Sequence, residues 1–378
     1  MAIMFSHEYW MALAIQQAEK GRYSTHPNPR VGCVIVKDKQ LLASGFHEFA
    51  GDPHAEINAL TQLDGSARGC TVYVTLEPCS HTGKTPPCAE ALIQAQPDTV
   101  VIAMQDPNPL VAGNGIKMLE EAGIEVISGV MEAQSHRLNQ GFIKRMLHRR
   151  PWLRIKMASS LDGRTALSNG VSQWVTGSDA RQDVQKLRAQ ASAILSTATT
   201  VIADNASLNV RLDRQDLNQQ RDVRQPVRVV LDEAMRLSGK ETVFSIESPL
   251  WIFTLQPAPT YTECLSRFPQ VKVIPMQDNG QGFIDLPAML DYLAQQEINE
   301  VHTECGAALA GALLSQQLAD ELILYLAPSL LGNQSRGLFE LGEISIMSDK
   351  LNLSIEDIRR VGDDIRISAK PEYSCLPS

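Results

Sequence analysis

Two segments decide the fold predicted for the first part of the chain: P-H-A-E at residues 53–56 and P-C-S-H-T-G-K-T-P-P-C at residues 78–88. His54, Cys79 and Cys88 supply one imidazole and two thiolates, a donor set that suits a tetrahedral Zn²⁺ ion whose fourth position is open to water. Glu56 follows the histidine by two residues, where its carboxylate can reach that water as a proton carrier rather than as a ligand. Cys79 follows an apolar strand and Cys88 opens a helical stretch. The spacing therefore predicts a metal centre built at strand ends and helix starts.

The same residues predict a hydrolytic deamination. A bound Zn²⁺ ion lowers the pKa of water to about 7, so that hydroxide is present at neutral pH and can attack an amidine-like ring carbon. Glu56 would carry the proton to the departing amine. This order of histidine, glutamate, Pro-Cys and a second cysteine resembles the pattern of zinc-dependent base deaminases, although that pattern has a C-x-x-C spacing.

The longer separation of the two cysteines, eight residues in this chain, leaves an alternative open. His81 lies in the insertion and is a rival ligand, which we rank below Cys79 and Cys88 because it falls in the middle of the loop. A long insertion does not disturb the metal geometry when a strand and a helix fix its two ends. The opposite interpretation, in which His54 and both cysteines are unrelated core or loop residues, is disfavoured because the motif residues occur in the right order.

Composition limits the class of protein. At 378 residues the chain is long enough for two domains. Its apolar content of 44% and formal charge of -9 predict a globular protein that does not bind nucleic acid through a general basic surface. No apolar run approaches the ~20 residues of a membrane span, and no secretory signal is visible. The seven scattered cysteines form no disulfide framework, which predicts a reducing, cytoplasmic location.

The alternation of strands and helices predicts an α/β fold in two domains, residues 1–150 and 151–378. A three-layer arrangement is expected for the first domain, and a basic helix over 131–150 that ends at Pro151 marks the junction. The elements predicted before that helix lie at 6–20, 31–37, 41–46, 53–63, 71–76, 87–96, 99–104, 115–122 and 124–127. Those predicted after it lie at 152–158, 179–190, 193–196, 227–231, 250–254, 271–275, 286–296, 300–303, 309–317 and 322–327.

The second half carries candidates for binding a phosphorylated ligand. The strand over 300–303 is followed by a turn of small residues around Gly306 and then by a helix, a geometry that lets backbone N–H groups approach a phosphate. Ordinary helix–strand packing explains this turn equally well, since it is not a G-x-G-x-x-G motif. Arg164, Arg188 and Arg211 could offer bidentate donors to a sugar phosphate.

Longer motifs resemble those of one family. They are H-P-N-P-R-V-G-C-V-I-V at 26–36, A-G-D-P-H-A-E at 50–56, Y-V-T-L-E-P-C-S-H at 73–81, Q-D-P-N-P at 105–109, S-L-D-G-R-T at 160–165, S-Q-W at 172–174, L-R-A at 187–189 and L-A-G-A-L-L at 309–314. In these motifs the chain is similar, over nearly its whole length, to the bifunctional deaminase–reductase family of riboflavin biosynthesis.

The resemblance implies two consecutive reactions. A cytidine-deaminase-like N-terminal domain would deaminate 2,5-diamino-6-ribosylamino-4(3H)-pyrimidinone 5′-phosphate. A dihydrofolate-reductase-like C-terminal domain would then use NADPH to reduce the ribosyl group, giving 5-amino-6-(5-phospho-D-ribitylamino)uracil. The implied partners are the phosphorylated pyrimidine, NADPH and a second copy of the chain in a dimer, with neither nucleic acid nor membrane.

The resemblance also assigns roles to single residues. For the deaminase it implies zinc ligands at His54, Cys79 and Cys88, a proton carrier at Glu56, and substrate contacts at Asn28, His47, His81 and Lys84. For the reductase it implies substrate contacts at Ser172, Arg188, Leu208, Arg211 and Glu304, and NADPH contacts at Ala158, Trp174, Thr200, Asp204 and Gly306. Lys156 is a further polar candidate near the reacting sugar. From the residues alone, Trp174 could equally fill a core edge. Cys305 adds bulk beside the cofactor, and the polar segment 212–225 is hard to align.

Three rival interpretations stay open at this point. In the first, the chain is only a deaminase, and its C-terminal half binds a nucleotide without reducing anything. In the second, the zinc is structural and the chain is a binding protein, although structural sites usually close with four protein ligands. The third is a nucleic-acid editing deaminase, which the acidic balance disfavours. For the reductase itself no convincing general acid stands out, and water is the expected proton source.

Overall fold

The structure, a computed structural model, describes residues 6–80, 87–109, 111–255 and 258–373. The chain divides into two compact units between Arg150 and Pro151. Both units are mixed α/β, as the alternating sequence pattern predicts. Within the described ranges, no helix is both long and apolar enough to span a bilayer.

The first unit is built on one sheet. Its strands are β1 (Gly32–Lys37), β2 (Gln40–Phe46), β3 (Thr71–Val74), β4 (Thr99–Ile102) and β5 (Glu125–Ser128). Its helices are α1 (His7–Glu19), α2 (Ala55–Leu60), α3 (Cys88–Ala95), α4 (Asn114–Glu121), α5 (Glu132–Leu138) and α6 (Gln140–His148). The strands lie in the order β2-β1-β3-β4-β5, in which β1 is antiparallel to β2 and β3, while β3, β4 and β5 are parallel.

Helices cover both faces of this sheet, because successive strand residues point to opposite faces and both sets are apolar. On one face, Val34 and Tyr73 pack against Met11 of α1. On the other, Val72 and Val100 pack into a core that includes residues of α2, α3 and α4. The expected three-layer arrangement is therefore present, and it brings the carboxyl end of β3 to the starts of α2 and α3.

The second unit contains a longer sheet. Its strands are β6 (Trp152–Ser160), β7 (Arg164–Ala166), β8 (Ala193–Thr197), β9 (Val227–Leu231), β10 (Leu250–Thr254), β11 (Val271–Pro275), β12 (Glu300–Glu304), β13 (Glu321–Ala327), β14 (Arg336–Gly337), β15 (Asn352–Val361) and β16 (Asp364–Glu372). Its helices are α7 (Ser178–Gln190), α8 (Ala198–Asp204), α9 (Pro259–Ser266), α10 (Leu286–Gln295) and α11 (Ala307–Ser315).

Nine of these strands form one sheet in the order β11-β10-β9-β8-β12-β6-β13-β16-β15, and β7 pairs with β14 separately. The strands from β11 to β13 are parallel, whereas β16 is antiparallel to β13 and β15. The register pairs Glu304 of β12 with Lys156 of β6, and His302 with Arg154. Ligands of open α/β sheets bind outside the carboxyl ends of the strands, which is where Glu304 lies.

The prediction of a single helix over residues 131–150 is wrong. The structure has α5 ending at Leu138 and α6 beginning at Gln140, with Asn139 between them. The side chain of Asn139 accepts a hydrogen bond from the backbone N–H of Arg30 at 2.8 Å and donates one to the Arg30 carbonyl at 2.9 Å. This long-range contact overrides the local helix preference, and it ties the second helical layer to the segment that carries Asn28.

The elements α8, α9, β15 and β16 were not predicted from the sequence. Helix α8 begins in a threonine-rich segment read as a loop, where the Thr197 hydroxyl accepts a hydrogen bond from the backbone N–H of Thr200. Strand β15 shifts register between Ile355 and Asp357, which interrupts the period of two by which an exposed strand is recognised.

Candidate functional site

The three predicted metal ligands converge in the first unit. Their ligand atoms all lie within 4.8 Å of one another. The Nδ1 atom of His54 lies 3.2 Å from the Sγ atom of Cys88 and 3.6 Å from that of Cys79. His54 is the N-cap residue of α2, one position before the helical turn in which it was expected, and Cys88 is the first residue of α3. The backbone N–H of Cys88 also donates a hydrogen bond to the Cys79 sulfur at 3.3 Å.

The donor set fits zinc. One imidazole and two sulfurs at these separations match three corners of a tetrahedron, and Zn²⁺ prefers nitrogen and sulfur ligands of this kind. Hydrogen bonds, first from the Cys88 thiol and then from His54, lower the pKa of Cys79, and the same contact raises the pKa of Cys88. One sulfur of the pair is therefore already favoured as the thiolate that a metal requires. The starts of α2 and α3 also point their positive dipole ends toward this negative charge.

Glu56 lies in the first turn of α2 and is buried, with 3% of its surface exposed. Its Oε2 atom has no hydrogen-bond partner among the residues that the structure describes. Burial raises the pKa of this carboxyl from its usual value to about 7. A carboxyl that titrates near neutral pH and has a free oxygen beside a metal site can both accept and return a proton.

Two of the four expected deaminase contacts, the half-buried Asn28 and the buried His47, form a pair beside the ligands, and the ring of His47 lies 5.3 Å from that of His54. The Nδ1 atom of His47 lies 3.2 Å from the Pro53 carbonyl, and its Nε2 atom lies 3.0 Å from the Asn28 amide nitrogen. Because a carbonyl can only accept, Nδ1 carries the proton and Nε2 accepts from Asn28. Burial lowers the pKa of His47, which keeps this ring neutral. The other two expected contacts, His81 and Lys84, lie outside the described residues.

Glu77 is a residue that the sequence analysis missed. It immediately precedes Pro78 and Cys79, and its buried carboxylate accepts hydrogen bonds at 2.9–3.3 Å from four backbone N–H groups, those of Asp106, Gly113, Gly115 and Ile116. A side chain at Gly115 would place its Cβ 2.1 Å from the Pro78 carbonyl oxygen. The only signal in the sequence is the G-N-G run at 113–115, which allows this close approach. Glu77 therefore fixes the position of the ligand loop.

We expect the substitution Glu77→Gln to weaken zinc binding about 10- to 100-fold, because an amide cannot accept from four N–H groups at once and the loop that carries Cys79 loses its anchor. Competition with a chelator of known affinity measures the effect. Glu90→Gln, an exposed change on α3, is the matched control and should bind zinc like the unmodified chain. Equal zinc affinity in all three proteins would contradict the anchoring role.

In the second unit, Glu304 and Arg188 form a bidentate ion pair at the carboxyl end of β12. The Nε and Nη2 atoms of Arg188 donate to the two carboxylate oxygens at 2.5 and 2.8 Å, and its Nη1 atom donates to the Asn209 carbonyl at 2.9 Å. Burial alone would raise the pKa of Glu304, but the Arg188 guanidinium holds it well below its usual range. This carboxylate is therefore ionised and held in a fixed orientation.

Other residues expected near the reductase substrate differ in how directly the structure relates them to this pair. Lys156 is the cross-strand neighbour of Glu304, its pKa is lowered by burial, and its Nζ atom lies 5.8 Å from the centre of the Tyr325 ring. The pKa of Arg211 is lowered by burial and by repulsion from Arg188, whereas attraction to Glu304 raises it. Arg211 therefore lies close enough to this ion pair to interact with both of its members. Leu208 is buried, one residue before Asn209.

The expected cofactor contacts gather along the same strand edge. Asp204 of α8 accepts hydrogen bonds from Gln173 and Ser172, although burial raises its pKa. The Thr200 hydroxyl lies 3.2 Å from that of Thr197. Gly306 is the N-cap of α11, and a Cβ added there would meet nothing within 4 Å. Ala158 lies half-buried on β6.

Trp174 is 69% exposed, so it does not fill a core edge. The Arg181 guanidinium carbon lies 4.4 Å from the centre of its ring, and Arg181 also donates to the Thr176 carbonyl at 2.7 Å. An exposed aromatic ring, an open helix start at Gly306, and the Thr200 hydroxyl and Asp204 carboxylate of α8 suit a nucleotide cofactor such as NADPH.

Known protein families match both halves of this chain. A family model described as the RibD C-terminal domain matches residues 151–367, and one described as the cytidine and deoxycytidylate deaminase zinc-binding region matches residues 4–104. The chain is 45% identical over 363 residues to the riboflavin biosynthesis protein RibD of Escherichia coli strain K12, which covers 95% of this chain and 97% of that protein.

Solved structures agree with these matches. Acinetobacter baumannii RibD, form 1, has a TM-score of 0.88 and 44% identity, covering 97% of this chain and 99% of that chain. A diaminohydroxyphosphoribosylaminopyrimidine deaminase/5-amino-6-(5-phosphoribosylamino)uracil reductase from Thermotoga maritima has a TM-score of 0.84 and 34% identity, covering 97% and 98%. These matches confirm the expected fold, a cytidine-deaminase-like part followed by a reductase part. The chain belongs to the RibD family of riboflavin-biosynthesis proteins.

Proposed function

We propose that the two reactions of this family are divided between residues 1–150 and residues 151–378, and that the sites described above carry them. The chain is a bifunctional enzyme of riboflavin biosynthesis that deaminates the phosphorylated diaminopyrimidine and reduces its ribosyl group, with Zn²⁺ and NADPH as cofactors. The observation that carries the deaminase assignment is the convergence of His54, Cys79 and Cys88 beside a buried Glu56 whose Oε2 atom makes no hydrogen bond to any described residue.

In the deaminase half, His54, Cys79 and Cys88 would hold the zinc, which when bound supplies the Lewis acidity that makes water nucleophilic at neutral pH. Glu56 takes the proton from the attacking water and delivers it to the departing amine. Burial shifts the pKa of this carboxyl upward, the direction that a group needs in order to accept a proton and return it near neutral pH. The fixed pair of Asn28 and His47 holds the ring of the substrate, and His81 and Lys84 of the segment between the cysteines contact its polar groups, Lys84 at the phosphate.

In the reductase half, NADPH supplies the hydride, and the protein groups position both reactants. We assign the substrate to Glu304 and Arg188 together with Ser172, Leu208 and Arg211. We assign the cofactor to Ala158, Trp174, Thr200, Asp204 and Gly306. Lys156, a half-buried amine on β6, is the cross-strand neighbour of Glu304, and we assign it as a further polar group near the reacting sugar.

An order-of-addition assay on the whole chain tests the proposed function. Ammonia release from the diamino substrate is expected without NADPH, and NADPH oxidation is expected only after deamination has begun. If the chain releases ammonia but never oxidises NADPH, it is a deaminase with a non-catalytic second half. Supplying the deaminated substrate directly separates a failed reductase from a failed first step.

We further propose that the chain works as a dimer in the cytoplasm. Cys33, Cys70, Cys79, Cys88 and Cys305 are all free, as expected in a reducing compartment. The edge strand β15 and its neighbour β16 expose Ile355, Ile358 and Ile365, side chains that a second copy could cover. Light scattering on the purified chain decides the oligomeric state.

A further inference from the structure

His302 is a buried histidine that the proposed reductase chemistry does not use. It lies in the middle of β12 with no surface exposed, and within the described ranges neither ring nitrogen makes a hydrogen bond of ordinary geometry. The one polar contact given for the ring is a longer one, from Nε2 to the Glu304 carboxylate. Side chains alternate along a strand, so His302 shares one face of β12 with Glu300 and Glu304. A buried polar group without a partner is rare in native proteins and calls for an explanation, and a functional role is one of the common ones.

Burial, helped by two arginines, keeps the His302 ring neutral. Arg154 is its cross-strand neighbour on β6, Ile194 is its neighbour on β8, and Arg188 reaches the same face from α7. Burial lowers the pKa of His302, and the two arginines add to this effect although Glu304 opposes it. The neutral ring carries one N–H group, and Nε2 lies close to the Glu304 carboxylate.

The Nε2 atom of His302 lies 3.4 Å from Oε1 of Glu304, the oxygen that also accepts the 2.5 Å hydrogen bond from Arg188 Nε. This separation is slightly longer than that of an ordinary hydrogen bond. A carboxylate can only accept, so the tautomer with the proton on Nε2 is the one that this contact favours. The imidazole thus contacts the carboxylate from within the sheet, while Arg188 binds the same carboxylate from α7.

We propose that His302 is a positioning residue for the reductase, and that its Nε2–H group holds the Glu304 carboxylate in the orientation that binds the substrate sugar. This inference rests on the proposed role of Glu304 as a substrate contact. Arg188 fixes the plane of the carboxylate from α7, and its Nη1 atom also donates to the Asn209 carbonyl, so the position of the guanidinium depends on the loop after α8 as well. A second donor inside the sheet would hold the carboxylate independently of that loop.

Three substitutions at His302 distinguish the contributions of the two ring nitrogens to substrate binding. In His302→Gln the side-chain amide can place an N–H donor where Nε2 lies, whereas in His302→Asn it reaches only the position of Nδ1. His302→Phe keeps the ring without any donor. A hydrogen bond to a charged group is worth about tenfold in affinity at the low end of its range, and that low end suits a contact as long as this one. We therefore expect the Asn and Phe variants to raise KM for 5-amino-6-(5-phosphoribosylamino)uracil about tenfold, with kcat and KM for NADPH within twofold and Gln close to the unmodified chain.

Measurements on the full-length variants decide the matter, with thermal unfolding and ammonia release recorded for each as checks on folding. An unchanged substrate KM in the Phe variant overturns the inference. Equal losses in all three variants also overturn it, because they indicate a purely structural residue. Glu304→Gln is measured in parallel: if it leaves substrate KM unchanged, the proposed role of Glu304 itself fails, whereas a large effect there with none at His302 removes only the positioning role.

Discussion

Replacing Glu56 by glutamine is expected to slow ammonia release about 10²- to 10⁴-fold, the usual contribution of a general acid–base group. Glutamine has nearly the same shape and can occupy the same buried site in the first turn of α2, but it cannot take a proton from water and return it to the amine. The measurement is ammonia release from the diamino substrate under saturating conditions, with zinc content determined on the same sample.

Zinc content distinguishes this explanation from loss of the metal. Glu56 is placed as a proton carrier and not as a ligand, so the variant should retain stoichiometric zinc and should still oxidise NADPH when given the deaminated substrate. Glu90→Gln, on the exposed side of α3, is the matched control and should be fully active. Ammonia release within a few-fold of the unmodified chain would contradict the role of Glu56 and would favour a structural zinc module.

The same substitution has a pH signature in the zinc-free protein. The pKa of Glu56 is about 7 in the folded chain against a usual 4.5, so the unfolded chain ionises first and stability falls as pH rises from 4.5 to 7. Glutamine removes this loss. Above pH 7 the zinc-free variant should therefore be more stable than the unmodified zinc-free chain, by up to about 3 kcal/mol, and below pH 4.5 the two should be alike.

Replacing Arg188 by methionine is expected to lower reductase kcat/KM at least about 100-fold and to destabilise the second unit by about 3–5 kcal/mol. The change leaves the buried Glu304 carboxylate without its bidentate partner and removes a donor proposed to bind the substrate. Denaturant unfolding and NADPH oxidation with the deaminated substrate measure the two effects. Ammonia release, which depends on the first unit, should not change.

A double variant separates stability from chemistry. Removing the carboxylate as well, in R188M combined with Glu304→Leu, takes away the unpaired buried charge and should restore most of the lost stability. Reductase activity should stay low, because neither proposed substrate contact remains. If the double variant recovers activity together with stability, Arg188 and Glu304 hold the fold and do not bind the substrate.

The metal site could be predicted from the sequence because its chemistry depends on few residues with distinctive types and spacing. His54, Glu56, Cys79 and Cys88 fall at element boundaries that apolar runs and prolines mark, and the structure brings their side chains together. Glu77 was missed because the four hydrogen bonds to its carboxylate come from backbone N–H groups of a segment distant in the sequence. No pattern of side chains predicts such donors.

The second unit was harder to predict for similar reasons. The Arg188–Glu304 pair joins residues far apart in the sequence, and only the order of strands in the sheet makes them neighbours. His302 looked like an ordinary strand residue, since a polar side chain on a buried face has no local signature. The break at Asn139 depends on a contact with Arg30 from the other end of the unit.

Selective removal of zinc tests most directly whether one chain carries two separable active sites. The full-length protein is depleted with a chelator, and the same sample is assayed for ammonia release from the diamino substrate and for NADPH oxidation with the deaminated substrate. Ammonia release should disappear and return on addition of zinc, while NADPH oxidation should proceed at its original rate throughout. Ammonia release that persists without zinc, or NADPH oxidation that never occurs in any sample, would contradict this division of the chain.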